Sequence, residues 1–163
     1  MTTTTSRTST AWTIEHCPWD HAEGRELRER QREEISARFG DDDLEPGPQP
    51  SAEDVSVFLV LRGPGGEPVG CGALREIDAA SVEVKRMYVV PESRGSGAAA
   101  ALLAGLEAAA RERGWAVMRL ETGDEARMPE ANRFYAREGY RRIPPFGHYV
   151  GSEVSICYEK RLA

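Results

Sequence analysis

The chain has 163 residues and a formal net charge of −6, with 40% hydrophobic and 29% charged residues. This length suits one domain with a substantial core, and the acidic balance argues against nucleic-acid binding, which requires a basic patch. No apolar run approaches the roughly 20 residues of a membrane span, and the Thr/Ser-rich start lacks the apolar stretch of a signal peptide. We therefore expect no membrane partner, a disordered tail over residues 1–10 and a single domain over residues 11–163.

The first half of the chain predicts a helix among short strands. Its predicted elements are a strand over 12–16, a helix over 21–39, a polar loop over 41–50 and strands over 55–62, 69–77 and 82–90. Asp20 can cap the helix and Gly40 can end it. The helix carries many charges, and only Leu27, Ile35 and Phe39 form a thin apolar face.

The second half predicts a strand–helix–strand crossover. Its elements are helices over 98–113 and 130–138, and strands over 115–121, from Tyr140, and over 152–160. Leu102, Leu103 and Leu106 form the apolar stripe of the first helix, which Gly114 ends. Hairpins followed by a βαβ crossover predict a mixed α/β sheet.

Three cysteines, Cys17, Cys71 and Cys157, show no metal-binding or redox spacing. We therefore expect reduced thiols in a cytoplasmic protein without a metal site, each thiol serving as a small core group. The net negative charge mildly favours a cationic substrate such as an amine, although the same charge can simply keep a protein in solution.

The strand ending at Val90 leads into the segment Arg94-Gly95-Ser96-Gly97-Ala98-Ala99 at a helix start. The first N–H groups of a helix have no internal partners and carry partial positive charge, so small side chains there allow a pyrophosphate to reach them. Arg94 adds a permanently charged group suited to phosphate. Taken alone, the short pattern also fits a glycine-containing turn without a ligand.

This segment resembles the Arg/Gln-x-x-Gly-x-Gly/Ala motif of the GCN5-related N-acetyltransferases, the GNAT superfamily. Residues 131–140, Ala-Asn-Arg-Phe-Tyr-Ala-Arg-Glu-Gly-Tyr, resemble the family's second motif, and the resemblance covers roughly residues 55–160. It implies a GNAT-like mixed, mostly antiparallel twisted sheet with flanking helices and a central βαβ unit that binds acetyl-CoA.

The resemblance also implies how acetyl coenzyme A is held. The pyrophosphate would lie on the amides of Gly95, Ser96, Gly97, Ala98 and Ala99, beside Arg94. Backbone groups of Met87, Tyr88 and Val89 would pair with the pantetheine arm, as an added strand does. In the family two strands separate beside the thioester, and the Val89 amide would be the oxyanion donor.

Tyr135 matches the family tyrosine that protonates the departing thiolate, although a core aromatic residue is the alternative. Two carboxylates are candidates for the general base: Glu83, near the position of the glutamate in histone-acetylating members, and Glu121 on the next strand. Each is alternatively a charged strand residue paired with Lys85, Arg86 or Arg119, and the remaining alternatives are a water chain or no dedicated base. Met128 stands where many members carry Asn, so we expect Asn132 to supply that contact to the cofactor.

The function implied is direct acetyl transfer to a primary amine of a small molecule in a ternary complex, since neither motif contains a cysteine. The alternatives are acetylation of a protein N-terminus or lysine, of a hydroxyl group, and a non-catalytic acyl-CoA-sensing module. Phe146, His148 and Tyr149 either shape an acceptor pocket or lie on a proline-stiffened surface loop. A homodimer is common in the family.

Overall fold

A seven-stranded sheet with helices on its faces forms the described part of the computed structural model, residues 12–40 and 47–162. The strands are β1 (Thr13–His16), β2 (Val55–Arg62), β3 (Pro68–Glu76), β4 (Ser81–Val89), β5 (Val117–Gly123), β6 (Arg141–Ile143) and β7 (Ser155–Arg161). The helices are α1 (Ala22–Phe39), α2 (Ala98–Glu112) and α3 (Pro129–Arg137). The tail predicted over 1–10 and residues 41–46 of the predicted loop lie outside the described residues.

The strand order is β1-β2-β3-β4-β5-β7-β6, and every neighbouring pair is antiparallel except β4 and β5. This arrangement confirms the predicted mixed, mostly antiparallel sheet with a central βαβ unit. The parallel ladder between β4 and β5 pairs Ser81, Val82 and Glu83 with residues 117–119 and extends no further in the described residues. The two strands therefore separate for the rest of their length.

A β-bulge in β4 lies just beyond the end of this ladder. The register with β3 shifts between Cys71 and Ala73, so that Arg86 and Met87 together face Gly72. Arg86 has a φ of 54°, and no other non-glycine residue among those described has a positive φ. Because a bulge bends and twists its strand, it directs β4 away from β5.

Helix α2 packs its leucine stripe on the sheet, as predicted. Leu102, Leu103 and Leu106 are fully buried. A Cβ placed on Gly72 of β3 would lie 2.9 Å from Leu106 Cδ1, so a glycine there lets the helix approach the strand closely. This close packing positions the first turn of α2 beside the end of β4.

Helix α1 begins differently from the sequence-based prediction. Asp20 is not its cap: the helix begins at Ala22, and the His21 side chain accepts a hydrogen bond from the Gly24 N–H at 3.3 Å. The Asp20 prediction was wrong because His21 occupies the capping position. Gly40 ends the helix with a φ of 78°, as predicted. Among the described residues, no helix is both long and apolar enough to cross a membrane.

Candidate active site

A cavity of about 220 Å³ lies where β4 and β5 separate. Val84–Met87 of β4 and Leu120–Gly123 of β5 form its two sides, Tyr135 of α3 closes part of it, and Gln31, Ile35 and Phe39 of α1 form a further wall. Two of the three apolar residues predicted for α1, Ile35 and Phe39, thus line this cavity, and Leu27 joins the buried core. Helix α1 therefore uses its few apolar residues to form one wall of the cavity and to contact the core.

The predicted pyrophosphate loop has the backbone that its glycines suggest. After a short 3₁₀ turn over Pro91–Ser93, Gly95 and Gly97 have φ values of 76° and 92°. The hydrogen bond from the Ala101 N–H to the Gly97 carbonyl spans 3.0 Å, and the amides between them belong to the unpaired first turn of α2. A Cβ on either residue would meet nothing within 4 Å. Glycine is therefore favoured at these two positions by the backbone conformation and not by lack of space.

Arg94 is held at this loop by two contacts. Its Nε donates to the Val89 carbonyl and its Nη2 donates to Glu34, both at 2.9 Å. Tyr88 Oη also donates to the Glu34 carboxylate, at 3.1 Å, and the hydrogen bond from Arg94 is the main reason that the pKa of Glu34 is lowered. A guanidinium has five N–H donors, so these contacts orient Arg94 and leave donors for a phosphate.

The Val89 amide points into the split between the strands. The Val90 N–H donates to the Val69 carbonyl at 2.9 Å, and Val89 lies opposite Gly70 in the same register. Because hydrogen-bonded and non-hydrogen-bonded pairs alternate along an antiparallel ladder, the amide of Val89 faces away from β3. The Met87 carbonyl instead accepts a hydrogen bond from Gln31 Nε2 at 3.0 Å.

Tyr135 packs in a group of aromatic rings, and its hydroxyl also reaches the cavity. Its ring packs among those of Phe134, Tyr140 and Tyr158, with centroids 5.1, 5.9 and 6.1 Å away. Its hydroxyl also lies 3.6 Å from Met87 Sδ at the cavity wall. Burial raises the pKa of this phenol, which keeps it protonated at neutral pH and able to donate.

Asn132 is buried and bonded on both ends of its amide. Its Nδ2 donates to the Gly123 and Met128 carbonyls at 2.9 and 2.8 Å, and its Oδ1 accepts from Tyr158 Oη at 2.7 Å. These bonds join α3 to β5 and β7. Its contact with a cofactor stays a prediction, and the geometry favours a positioning role.

Four ionisable side chains form a buried cluster beside the cavity. Lys85 Nζ donates to Tyr149 Oη at 2.8 Å, and Tyr149 Oη in turn donates to Glu83. Lys85 Nζ also lies 3.6 Å from Glu83 Oε2. Glu121 accepts a hydrogen bond from Ser155 Oγ at 2.6 Å. Lys85 and Glu121 line the cavity, whereas Glu83 and Tyr149 are not among its lining residues.

Burial governs the titration of this cluster. It raises the pKa values of Glu83 and Glu121, although Tyr149 and Arg75 lower the former and Ser155 and Lys85 lower the latter. It also lowers the pKa of Lys85 to about 8. The site therefore holds carboxylates that accept protons more readily than exposed ones, and an ammonium group that releases its proton more readily than an exposed lysine does.

The sequence analysis named Lys85 as a possible ion partner of these carboxylates, and Lys85 does lie beside Glu83; it missed the part of Tyr149, which bonds to both residues. Positions 83 and 85 of one strand share a face, so the alternation signalled that Lys85 accompanies Glu83. Of the three loop residues considered, Tyr149 is buried within the cluster, Phe146 packs on its ring at 5.3 Å, and His148 is exposed.

The buried thiols and the cluster of Glu15, Cys17 and His21 each have a structural explanation. Burial raises the pKa of the Cys71 thiol to about 12 and that of Cys157 to about 11. Glu15, Cys17 and His21 lie close together, but Glu15 pairs with Arg62 at 2.7 Å and His21 caps α1. These contacts explain the cluster as part of the β1–α1 corner.

Comparison with known proteins places this geometry in a family. A family model described as an acetyltransferase (GNAT) domain matches residues 53–142. IAA acetyltransferase of Azospirillum brasilense is 38% identical over 108 residues, covering 64% of this chain and 67% of that protein. YsnE of Bacillus subtilis (strain 168), an uncharacterized N-acetyltransferase, is 32% identical over 111 residues, covering 63% and 74%.

Solved structures have the same fold. A proposed acyl-CoA N-acyltransferase from Klebsiella pneumoniae superposes with a TM-score of 0.77 at 32% identity, covering 93% of this chain and 98% of that one. A GNAT family acetyltransferase from Elizabethkingia anophelis, solved with acetyl-CoA bound, gives a TM-score of 0.67 at 14% identity, covering 94% and 99%. The second likeness concerns the fold alone.

Proposed function

Because the chain belongs to the GNAT family of acetyltransferases, we propose that it transfers the acetyl group of acetyl coenzyme A directly to a primary amine of a small molecule. The observation that carries this proposal is the cavity between the separated β4 and β5, together with the unpaired amides at the start of α2, which follows β4 in the chain. A relative named IAA acetyltransferase supports a small-molecule acceptor.

The residues at the helix start suit acetyl coenzyme A. Gly95 and Gly97 expose backbone N–H groups without a side chain above them, and the donors of Arg94 that Glu34 and Val89 do not use can contact the same phosphates. When bound there, acetyl coenzyme A supplies the activated thioester. The inward-facing amide of Val89 would donate a hydrogen bond to the thioester oxygen, where negative charge develops during attack.

Glu121 is the residue we assign as the general base. It lines the cavity, and burial raises its pKa towards the range in which a carboxylate removes a proton from an ammonium group. Glu83 is buried and does not line the cavity, so it would act on the acceptor only through its partners Tyr149 and Lys85. We therefore assign Glu83 to positioning and charge balance of the cluster.

The proton inventory of the reaction then balances. Glu121 would take one proton from the acceptor ammonium, directly or through a water, which leaves a neutral amine nitrogen able to attack the thioester carbonyl carbon. Tyr135 would give its hydroxyl proton to the thiolate as the carbon–sulfur bond breaks, and the new amide nitrogen would lose its second proton to solvent. Tyr135 would then regain a proton from solvent and Glu121 would release its own, so that one turnover frees one proton. The raised pKa values of the buried thiols Cys71 and Cys157 favour this direct route over an acetyl-cysteine route.

The test combines binding and turnover on the purified protein. Calorimetry with coenzyme A and acetyl coenzyme A measures cofactor affinity, and release of free thiol across a panel of amines measures transfer. We expect binding and amine-dependent thiol release. Absence of binding would contradict the assignment of the loop, and binding without release for any amine or hydroxyl acceptor would leave an acyl-CoA-sensing module.

A further inference from the structure

Two hydroxyl groups connect Glu121 to the turn that precedes β7. Ser155 Oγ donates to Glu121 Oε2 at 2.6 Å, and the Oγ atoms of Ser152 and Ser155 lie 2.8 Å apart. Ser155 is buried, whereas Ser152 is half-buried between the exposed residues Gly151 and Glu153. Neither serine is among the described residues that line the cavity. This hydroxyl chain therefore starts at the assigned base and reaches a partly exposed turn.

The sheet places the inner hydroxyl next to the base. Strands β5 and β7 are antiparallel, with Gly123 opposite Ser155 and Glu121 opposite Cys157. Ser155 is therefore the diagonal neighbour of Glu121 on the same face of the sheet, a separation that side chains can bridge. The contact between them follows from the strand register.

The turn holds the outer hydroxyl in place. The Ser152 N–H donates to the Tyr149 carbonyl at 3.0 Å, and Ser152 Oγ accepts from the Val154 N–H at 3.3 Å. Either serine hydroxyl can be the donor in the contact between Ser152 and Ser155. The oxygen atoms are thus fixed, while the hydrogen bond between them can run in both directions.

A hydroxyl oxygen can accept one hydrogen bond and donate another, so it can pass on a proton without becoming charged. Ionised Glu121 accepts from Ser155. Once Glu121 has taken a proton from the acceptor, the chain can reverse: Glu121 gives a proton to Ser155, Ser155 gives its own to Ser152, and Ser152 gives its own to solvent. Each serine gains one proton and loses one, so Glu121 is ionised again and solvent receives one proton.

The proposed ternary complex gives this route a purpose. Acetyl coenzyme A and the acceptor would both occupy the cavity of about 220 Å³ that Glu121 lines. A proton on Glu121 would then leave through the protein or wait until the product departs. The hydroxyl chain provides the first of these two exits.

We propose that Ser155 and Ser152 are the proton exit of Glu121: they orient its carboxylate and pass its proton to solvent at the turn before β7. The inference rests on the proposed acetyltransferase function, with Glu121 as its base. Both serines are positioning residues, because they act through Glu121 and not on the substrate.

The two serines should affect the titration of Glu121 differently. Burial raises the pKa of Glu121, and the hydrogen bond from Ser155 is the largest of the contributions that lower it. Loss of the Ser155 hydroxyl should therefore raise this pKa further, whereas Ser152 reaches the carboxylate only through Ser155 and should leave the pKa unchanged. The other ionisable groups that face Glu121, from β4, from β7 and from the loop before it, are Lys85, Glu83, Tyr149 and Cys157.

The first experiment follows this titration without turnover. Carbon-13 NMR of the glutamate carboxyl groups reports ionisation, and the signal missing from Glu121→Gln identifies Glu121. We expect the midpoint to move to higher pH in Ser155→Ala and to stay in place in Ser152→Asn. The acidic limb of the pH–rate profile should move in the same direction in Ser155→Ala. An unmoved midpoint in Ser155→Ala would overturn the inference, whichever acceptor the protein uses.

The second experiment interrupts the outer end of the chain. In Ser152→Asn the side-chain oxygen can still accept from the Val154 N–H, but the donor and acceptor of an amide are different atoms, so no proton passes through. Ser51→Asn is the matched control, because Ser51 Oγ accepts from the Glu53 N–H at 3.3 Å in the same type of turn. Ser152→Thr keeps the hydroxyl.

Turnover is measured as thiol release with the panel amine that the unaltered protein acetylates fastest. We expect kcat to fall about tenfold in Ser152→Asn, less than the 10²–10⁴-fold expected for loss of the base itself, with coenzyme A affinity nearly unchanged. The solvent deuterium isotope effect on kcat should rise in Ser152→Asn, because proton release then limits turnover. Ser152→Thr should restore most of kcat, and Ser51→Asn should match the unaltered protein.

Equal kcat and equal isotope effects in Ser152→Asn and Ser51→Asn would overturn the proton exit and leave the proposed function intact. Failure of coenzyme A to bind, or no amine-dependent thiol release from the unaltered protein, would instead contradict the proposed function. The NMR titration separates these cases, since it measures the contact between Ser155 and Glu121 in the free protein.

Discussion

Single residues around the large cavity differ mainly in what burial does to their protons. Glu83 is buried and Glu121 is half-buried, and burial raises the pKa of both carboxylates, yet only Glu121 lines the cavity. The same burial brings the pKa of Lys85 to about 8. Position relative to the cavity, rather than pKa, therefore distinguishes the base from its neighbours.

Glu121→Gln should abolish the acidic limb of the pH–rate profile. A general base works deprotonated, so activity of the unaltered protein rises with pH through the raised pKa of Glu121 and falls below it. We expect kcat to fall by about 10²–10⁴-fold in the variant, with no such limb remaining. Glu125→Gln, an exposed carboxylate paired with Arg142, is the control and should keep the profile. An unchanged profile in Glu121→Gln would contradict the assignment.

Tyr135→Phe should slow transfer while leaving coenzyme A affinity nearly intact. The ring keeps its aromatic packing, and only the hydroxyl beside Met87 is lost. We expect kcat to fall by about 10²-fold or more, measured by thiol release. Tyr140→Phe is the matched control in the same aromatic group, because its hydroxyl bonds to the distant Glu107. If Tyr135→Phe turns over as fast as Tyr140→Phe, Tyr135 is not the general acid.

Among the elements, the bulged β4 and the start of α2 carry the site. The bulge at Arg86 shifts the register with β3 just beyond the point where β4 leaves β5, and the glycine turn that follows β4 presents bare amides. Element boundaries mattered less: β5 begins at Val117 and β7 at Ser155, two and three residues later than predicted, without any change to the site. The backbone conformations of the β4 bulge and of the glycine turn therefore influence the site more than the lengths of the strands do.

Gly97→Ala tests the turn at the start of α2. Its φ of 92° disfavours any Cβ, so we expect a loss of about 1 kcal/mol in the free energy of unfolding and a loop that no longer presents its amides correctly. Gly66→Ala, at a φ of 86° with equally open surroundings in the β2–β3 turn, is the control. Both variants should lose similar stability, but only Gly97→Ala should lose affinity for coenzyme A in calorimetry. Equal affinities would contradict the phosphate role of the turn.

At the scale of the whole molecule, the net charge of −6 does not indicate which charges line the cavities. The sequence-based argument from acidity mildly favoured a cationic substrate, whereas Arg28, Arg32 and Arg86 line a small cavity beside the β4 bulge. Acceptor recognition depends on the charges that face the ligand, because exposed charges elsewhere are screened within about 10 Å at moderate salt. The net charge of the chain therefore does not predict the charge of the acceptor.

Coenzyme A should stabilise the whole fold by mass action. A ligand that binds only the native state at 100 times its Kd adds about 2.7 kcal/mol to the free energy of unfolding. For a chain of this size we expect Tm to rise by roughly 5–10 °C at that concentration. Thermal unfolding followed by circular dichroism measures the shift. Gly97→Ala should show a smaller shift than Gly66→Ala at the same coenzyme A concentration, and equal shifts would contradict binding at the α2 turn.

The sequence alone determined the features that depend on local backbone preference: the order of strands and helices, the leucine stripe of α2, the glycine-containing turn at its start, and the two motifs that indicated the family. Only the tertiary structure decided which buried charges meet. Glu83 and Tyr149 are 66 positions apart in the chain, and the arginines that lie together beside the β4 bulge come from α1 and β4. Periodicity and turn chemistry act over a few residues, whereas these contacts exist only because the sheet brings distant segments together and the bulge separates β4 from β5.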